Sequence, residues 1–119
     1  VIVGAFLAEA ATAVDNKLNV SGGVLYRFWV EPDRSARFLL VVLTQRETGI
    51  LDRRIDVEIV PPTGDDPEHM TFELPEAATT AEVGFAIFNI EVTLPVDGRW
   101  AIVVTGGAGT ISLPLVVSS

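Results

Sequence analysis

Phe88-Asn89-Ile90-Glu91-Val92-Thr93-Leu94 alternates apolar and polar side chains without a break. Side chains of a strand point alternately to its two faces, so this segment is a strand that turns Phe88, Ile90, Val92 and Leu94 toward a core. The same period recurs in Ile55, Val57 and Ile59, separated by Asp56 and Glu58, and in Met70, Phe72 and Leu74, separated by Thr71 and Glu73. Trp100, Ile102 and Val104 share one parity, as do Ile111, Leu113, Leu115 and Val117.

Turn residues fall between these runs. Asp15-Asn16 tolerates the positive φ of a two-residue hairpin turn. Gly22-Gly23 suggests a bulge in the returning strand, and the connection over residues 46–52 centres on Gly49. The prolines at 61, 62 and 67 make the longest loop, because proline cannot donate to a sheet. Gly106-Gly107-Ala108-Gly109 forms the last hairpin loop. Residues 8–14 and 76–82 are alanine-rich; the first fits the hairpin, and the second, after Pro75, fits one or two helical turns crossing between sheets. The pattern predicts about seven or eight strands in a single antiparallel β-sandwich spanning residues 1–119.

Two segments break the alternation. Residues 38–43 are apolar on both parities, and residues 24–30 nearly so, with Arg27 between. A strand with one wet face shows polar residues at every second position, so both segments require cover on each face. That cover is a loop, the alanine-rich segment or another subunit. Contiguous exposed patches of this size are unusual on monomers, which favours self-association or another protein, with internal cover the alternative. The candidate interface is Tyr26, Phe28, Trp29, Phe38, Leu40 and Val42.

The 119 residues include no cysteine, which excludes disulfides, thiolate metal sites and a cysteine nucleophile. Sixteen acids against eight bases give a net charge of -8, the opposite of the basic stripe a nucleic-acid partner requires. The excess lies in the second half, where Arg99 is the only base. No apolar run approaches the roughly 20 residues of a membrane span, and with no basic segment ahead of Val1 the expected location is the cytoplasm.

Little of the sequence resembles catalytic machinery. His69 is the only histidine, and no Gly-x-Ser-x-Gly elbow occurs. Asp65, Asp66, Glu68 and His69 are a weak candidate for holding a hard cation or a basic partner, because they lack the spacing of a calcium loop. Neither glycine run opens a helix after a strand, so neither reads as a phosphate loop. The expectation is a non-enzymatic interaction or structural protein, homo-oligomeric, with no cofactor and no metal. Two alternatives stay open: a small ligand- or carbohydrate-binding module using the aromatics near Trp29, and a metal-dependent enzyme around the acidic loop.

Ala8-Glu9, Asp15-Asn16-Lys17-Leu18-Asn19-Val20-Ser21-Gly22-Gly23 and Pro32 resemble the amino-terminal signature of a bacterial family known only as a domain of unknown function. Pro95-Val96-Asp97-Gly98-Arg99-Trp100 stands where that family closes with Pro-x-x-Gly-x-Tyr. Asn16 replaces its usual glycine and Trp100 its usual tyrosine. The resemblance implies an immunoglobulin-like β-sandwich of small bacterial or phage-associated proteins, and brings no activity and no catalytic residue. An aromatic just after such a turn is expected to pack beneath it and bond its backbone, as the tyrosine corner of sandwiches does.

Overall fold

The period-two segments are strands in the computed structural model, which describes residues 1–46, 52–107 and 109–119. In chain order the elements are β1 (Ile2–Val14), β2 (Lys17–Gly23), β3 (Arg27–Trp29), β4 (Ser35–Gln45), β5 (Arg54–Val60), β6 (Glu68–Glu73), α1 (Glu76–Thr80), β7 (Val83–Thr93), β8 (Gly98–Gly106) and β9 (Gly109–Ser118). They form a four-stranded sheet, β2-β1-β4-β7, and a five-stranded sheet, β3-β9-β8-β5-β6. The chain is therefore all-β.

The described residues hold nine strands rather than seven or eight, and one pair is parallel. The difference lies at Gly22-Gly23. Pairing with β1 stays in register to Gly23, so the glycines end β2 instead of bulging it. Gly22 turns at φ 65, and the chain crosses to the other sheet. There Arg27, Phe28 and Trp29 pair in parallel with Val116, Val117 and Ser118. The expected Asp15-Asn16 turn forms, with φ of 52 and 61. The turn expected at Gly49 and the loop residue Ala108 lie outside the described residues.

One core lies between the sheets. Leu7, Phe38, Leu40, Val42 and Ile90 come from the first sheet, and Ile55, Val57, Ile59, Trp100, Ile102, Val104, Leu115 and Val117 from the second. Each large side chain fully buried this way contributes about 1.5–3 kcal/mol. Phe38 meets Phe28 edge-on at 6.0 Å between ring centroids, and Phe72 stacks on Phe88 at 4.8 Å.

Three polar fastenings hold the connections. Trp100 is buried, and its indole N–H donates to the carbonyl of Val96 at 3.0 Å, so it packs beneath the β7–β8 turn as expected. The single turn of α1 carries the chain from β6 to β7, also as expected. Its seat is made by the buried Thr44, whose hydroxyl donates to the Ala78 carbonyl at 2.6 Å, and by Gly84, where a Cβ would sit 2.8 Å from that oxygen. Arg34 donates from Nε to the Leu94 carbonyl at 2.8 Å and forms an ion pair with Asp97 at 2.9 Å.

Candidate functional site

Phe38, Leu40 and Val42 were expected in an outward patch, and the structure corrects this. They are 1%, 0% and 0% exposed and face the five-stranded sheet. Arg37 carries the signal that sequence reading missed. It shares parity with Leu39, Val41 and Leu43, and a charged side chain cannot be left unpaired in the core, so the odd positions face away.

Register then assembles the outer face of the four-stranded sheet. Gly4, Leu43 and Phe85 form one row across β1, β4 and β7. Phe6, Val41 and Ile87 form the next, and Ala8, Leu39 and Asn89 the third. Gly4 leaves room for Leu43, whose Cδ1 would lie 3.4 Å from a Cβ there. Ala8 and Val41 are wholly buried at the centre, while Phe6, Leu39, Leu43, Phe85 and Ile87 around them keep partial exposure. The Arg37–Glu91 ion pair closes one end. The apolar run at residues 83–88, again apolar on both parities, was the sequence sign of Phe85 and Ile87.

The remaining aromatics lie elsewhere. Phe28 packs against the core, whereas Tyr26 and Trp29 are 53% and 67% exposed at β3. Arg27 places its guanidinium 5.6 Å from the Tyr26 ring centroid. Trp29 lines a groove of about 690 Å³ with Phe28, Glu31, Arg37, Glu68 and Glu91.

The acidic candidates do not converge. Asp65 accepts a hydrogen bond from the Thr63 hydroxyl at 2.7 Å, and Asp66 is exposed in the same loop. Glu68 and His69 are successive residues of β6 and so point to opposite faces. His69 Nδ1 lies 3.7 Å from a Glu58 carboxylate oxygen on the neighbouring strand. Among the described residues, no group of three His, Asp or Glu side chains is placed to hold a metal ion. The perturbed carboxylates serve turns instead. The Ser35 amide and hydroxyl hold Asp33 below the usual carboxylate range, and the Arg34 guanidinium with the Ser119 hydroxyl does the same for Asp97.

No described helix is long and apolar enough to cross a membrane. No family model, curated protein or solved structure matches the chain.

Proposed function

We propose that this chain is a non-enzymatic interaction protein with an immunoglobulin-like sandwich fold, and that it works by docking the outer face of its four-stranded sheet onto a second copy of itself. The observation that carries the reading is the set of apolar rows built on Phe6, Leu39, Val41, Leu43, Phe85 and Ile87, on the side away from the other sheet. The three strands lie side by side over Leu39–Thr44 of β4, about 20 Å, and span about 14 Å across, so this face presents about 300 Å² of plane per copy. A face-to-face pair therefore covers about 600 Å² in total, below the roughly 1,000 Å² of a stable interface, which makes this contact a weak and transient one.

Energetics set the strength. Phe6, Leu39, Leu43, Phe85 and Ile87 are already mostly buried, so completing the burial of each is worth about 0.5–1 kcal/mol. Five such groups per copy supply about 5–10 kcal/mol to a pair, against roughly 4–15 kcal/mol for lost rigid-body freedom. The balance is a weak, reversible assembly. The test is light scattering on Leu43→Lys and Ile87→Lys, with circular dichroism as the check of folding. Loss of the assembly in both supports the face; an unchanged particle mass in both rejects it.

A second reading, binding of a carbohydrate or similar small ligand, is favoured by Trp29 alone, an exposed ring on the wall of a polar groove. Its test is tryptophan fluorescence against a glycan panel, with Trp29→Ala as the control. A saturable shift that the variant abolishes supports it, and no shift with any glycan rejects it.

A further inference from the structure

The four edge strands of the two sheets differ in how they are protected. β3 has only three residues. β6 has six, carries Glu68, His69 and Glu73, and lies between Pro67 and Pro75. β2 presents Lys17, Asn19 and Ser21 and turns at Gly22, with φ 65, just before its end. These are the devices by which native sheets avoid edge-to-edge pairing. β7 has none of them. It runs for eleven residues, pairs with β4 at all eleven without a register shift, contains no proline or lysine, and carries a single charge, Glu91.

The ladder fixes which backbone groups β7 leaves free. The Arg46 amide donates to Glu82, and the Leu94 amide donates to Arg34. Opposed residues of an antiparallel pair alternate between exchanging both hydrogen bonds and exchanging none. The even residues of β7, from Gly84 to Val92, are thus bonded to β4. The odd residues Val83, Phe85, Ile87, Asn89, Glu91 and Thr93 aim their N–H and C=O groups at the outer edge, where no other described strand pairs with β7. The side chains of these odd residues lie on the outer face, with Phe85 and Ile87 in its apolar rows.

We propose that β7 is a second docking element, which pairs antiparallel with β7 of another copy about a two-fold axis and joins the two four-stranded sheets into one. The partner is a second copy because an antiparallel strand is complementary to itself under two-fold symmetry. Full overlap centres the axis on Phe88 and forms about twelve new backbone hydrogen bonds. It also sets Glu91 of each copy across from Phe85 of the other, so the only charges on the strand do not meet. The neighbouring edge β6 is acidic and stays apart. This inference rests on self-association as read above, but uses a different contact from the face.

The experiment separates the two contacts. Asn89→Pro removes an N–H aimed at the open edge and leaves the bonds to β4 intact, as proline on an edge strand does. Sedimentation is expected to show the particle mass halved, with an unchanged far-UV spectrum. Amide hydrogen exchange on the unmodified protein is the second readout and decides alone if the variant does not fold. The amides of Phe85, Ile87, Asn89 and Glu91 are expected to be protected at high concentration and to lose that protection on dilution, while those of Ala86, Phe88 and Ile90 stay protected throughout. An assembly that persists in Asn89→Pro, with odd-numbered amides exchanging freely, overturns the edge pairing and leaves the face standing. A chain that is monomeric at every concentration overturns both.

Discussion

Trp100→Ala is the substitution whose effect follows most fully from the structure. The ring is only 4% exposed and belongs to the shared core, and its indole N–H satisfies the Val96 carbonyl at 3.0 Å. Truncating a buried Trp to Ala costs about 3–5 kcal/mol through lost burial and the remaining cavity. Trp100→Phe separates the contributions. It keeps most of the apolar ring and loses the donor, and a net hydrogen bond of this kind is worth about 0.5–1.5 kcal/mol. The expected order is wild type, then Phe about 1–2 kcal/mol below, then Ala below Phe. Since small domains hold only about 5–15 kcal/mol in total, the Ala variant is expected to sit near the limit of folding. Urea unfolding followed by far-UV circular dichroism reads both, because Trp29, the other tryptophan, is already exposed and reports the core poorly. If Trp100→Ala costs under about 1 kcal/mol, the assignment of Trp100 as the pin of the β7–β8 turn is wrong.

Two further outcomes follow from the same structure. Gly84→Ala places a Cβ 2.8 Å from both the Ala78 carbonyl oxygen and the Thr44 hydroxyl, so it is expected to cost about 1–3 kcal/mol and raise hydrogen exchange in α1; a neutral effect in urea unfolding would contradict the tight seat of the helix. Asp97 has a folded pKa lowered from 3.8 by Arg34 and Ser119, so its contribution is present above about pH 3.8 and is lost as pH falls through the folded value. Asp97→Asn is expected to flatten that part of the acid-unfolding curve, and an unchanged acid limb would show that the Arg34 pair does not favour the ionised carboxyl in the folded state.

Much of this architecture was legible in the period of the side chains. Ile55, Val57, Ile59, Ile90 and Leu115 announce their inward faces because polar neighbours separate them or turns bound them. Trp100 after its Pro-Val-Asp-Gly turn and the helical turn after Pro75 were legible for the same local reason. The parity of residues 38–43 was not, since both sides are apolar and hydropathy alone cannot choose. Arg37 and the register with β1 and β7 decide it. β3 was illegible for another reason. A three-residue strand paired in parallel with the far end of the chain leaves no local pattern, and its partners Val116, Val117 and Ser118 are more than eighty residues away. The outer face itself was readable only as an excess of apolar residues. Its position required the alignment of three strands that are distant in sequence.

The most direct test of docking by this chain is the mass of the unmodified protein in sedimentation equilibrium across a dilution series. Docking between copies requires at least twice the 12.7 kDa chain mass at high concentration, falling toward 12.7 kDa on dilution. A mass of 12.7 kDa at every concentration would contradict it.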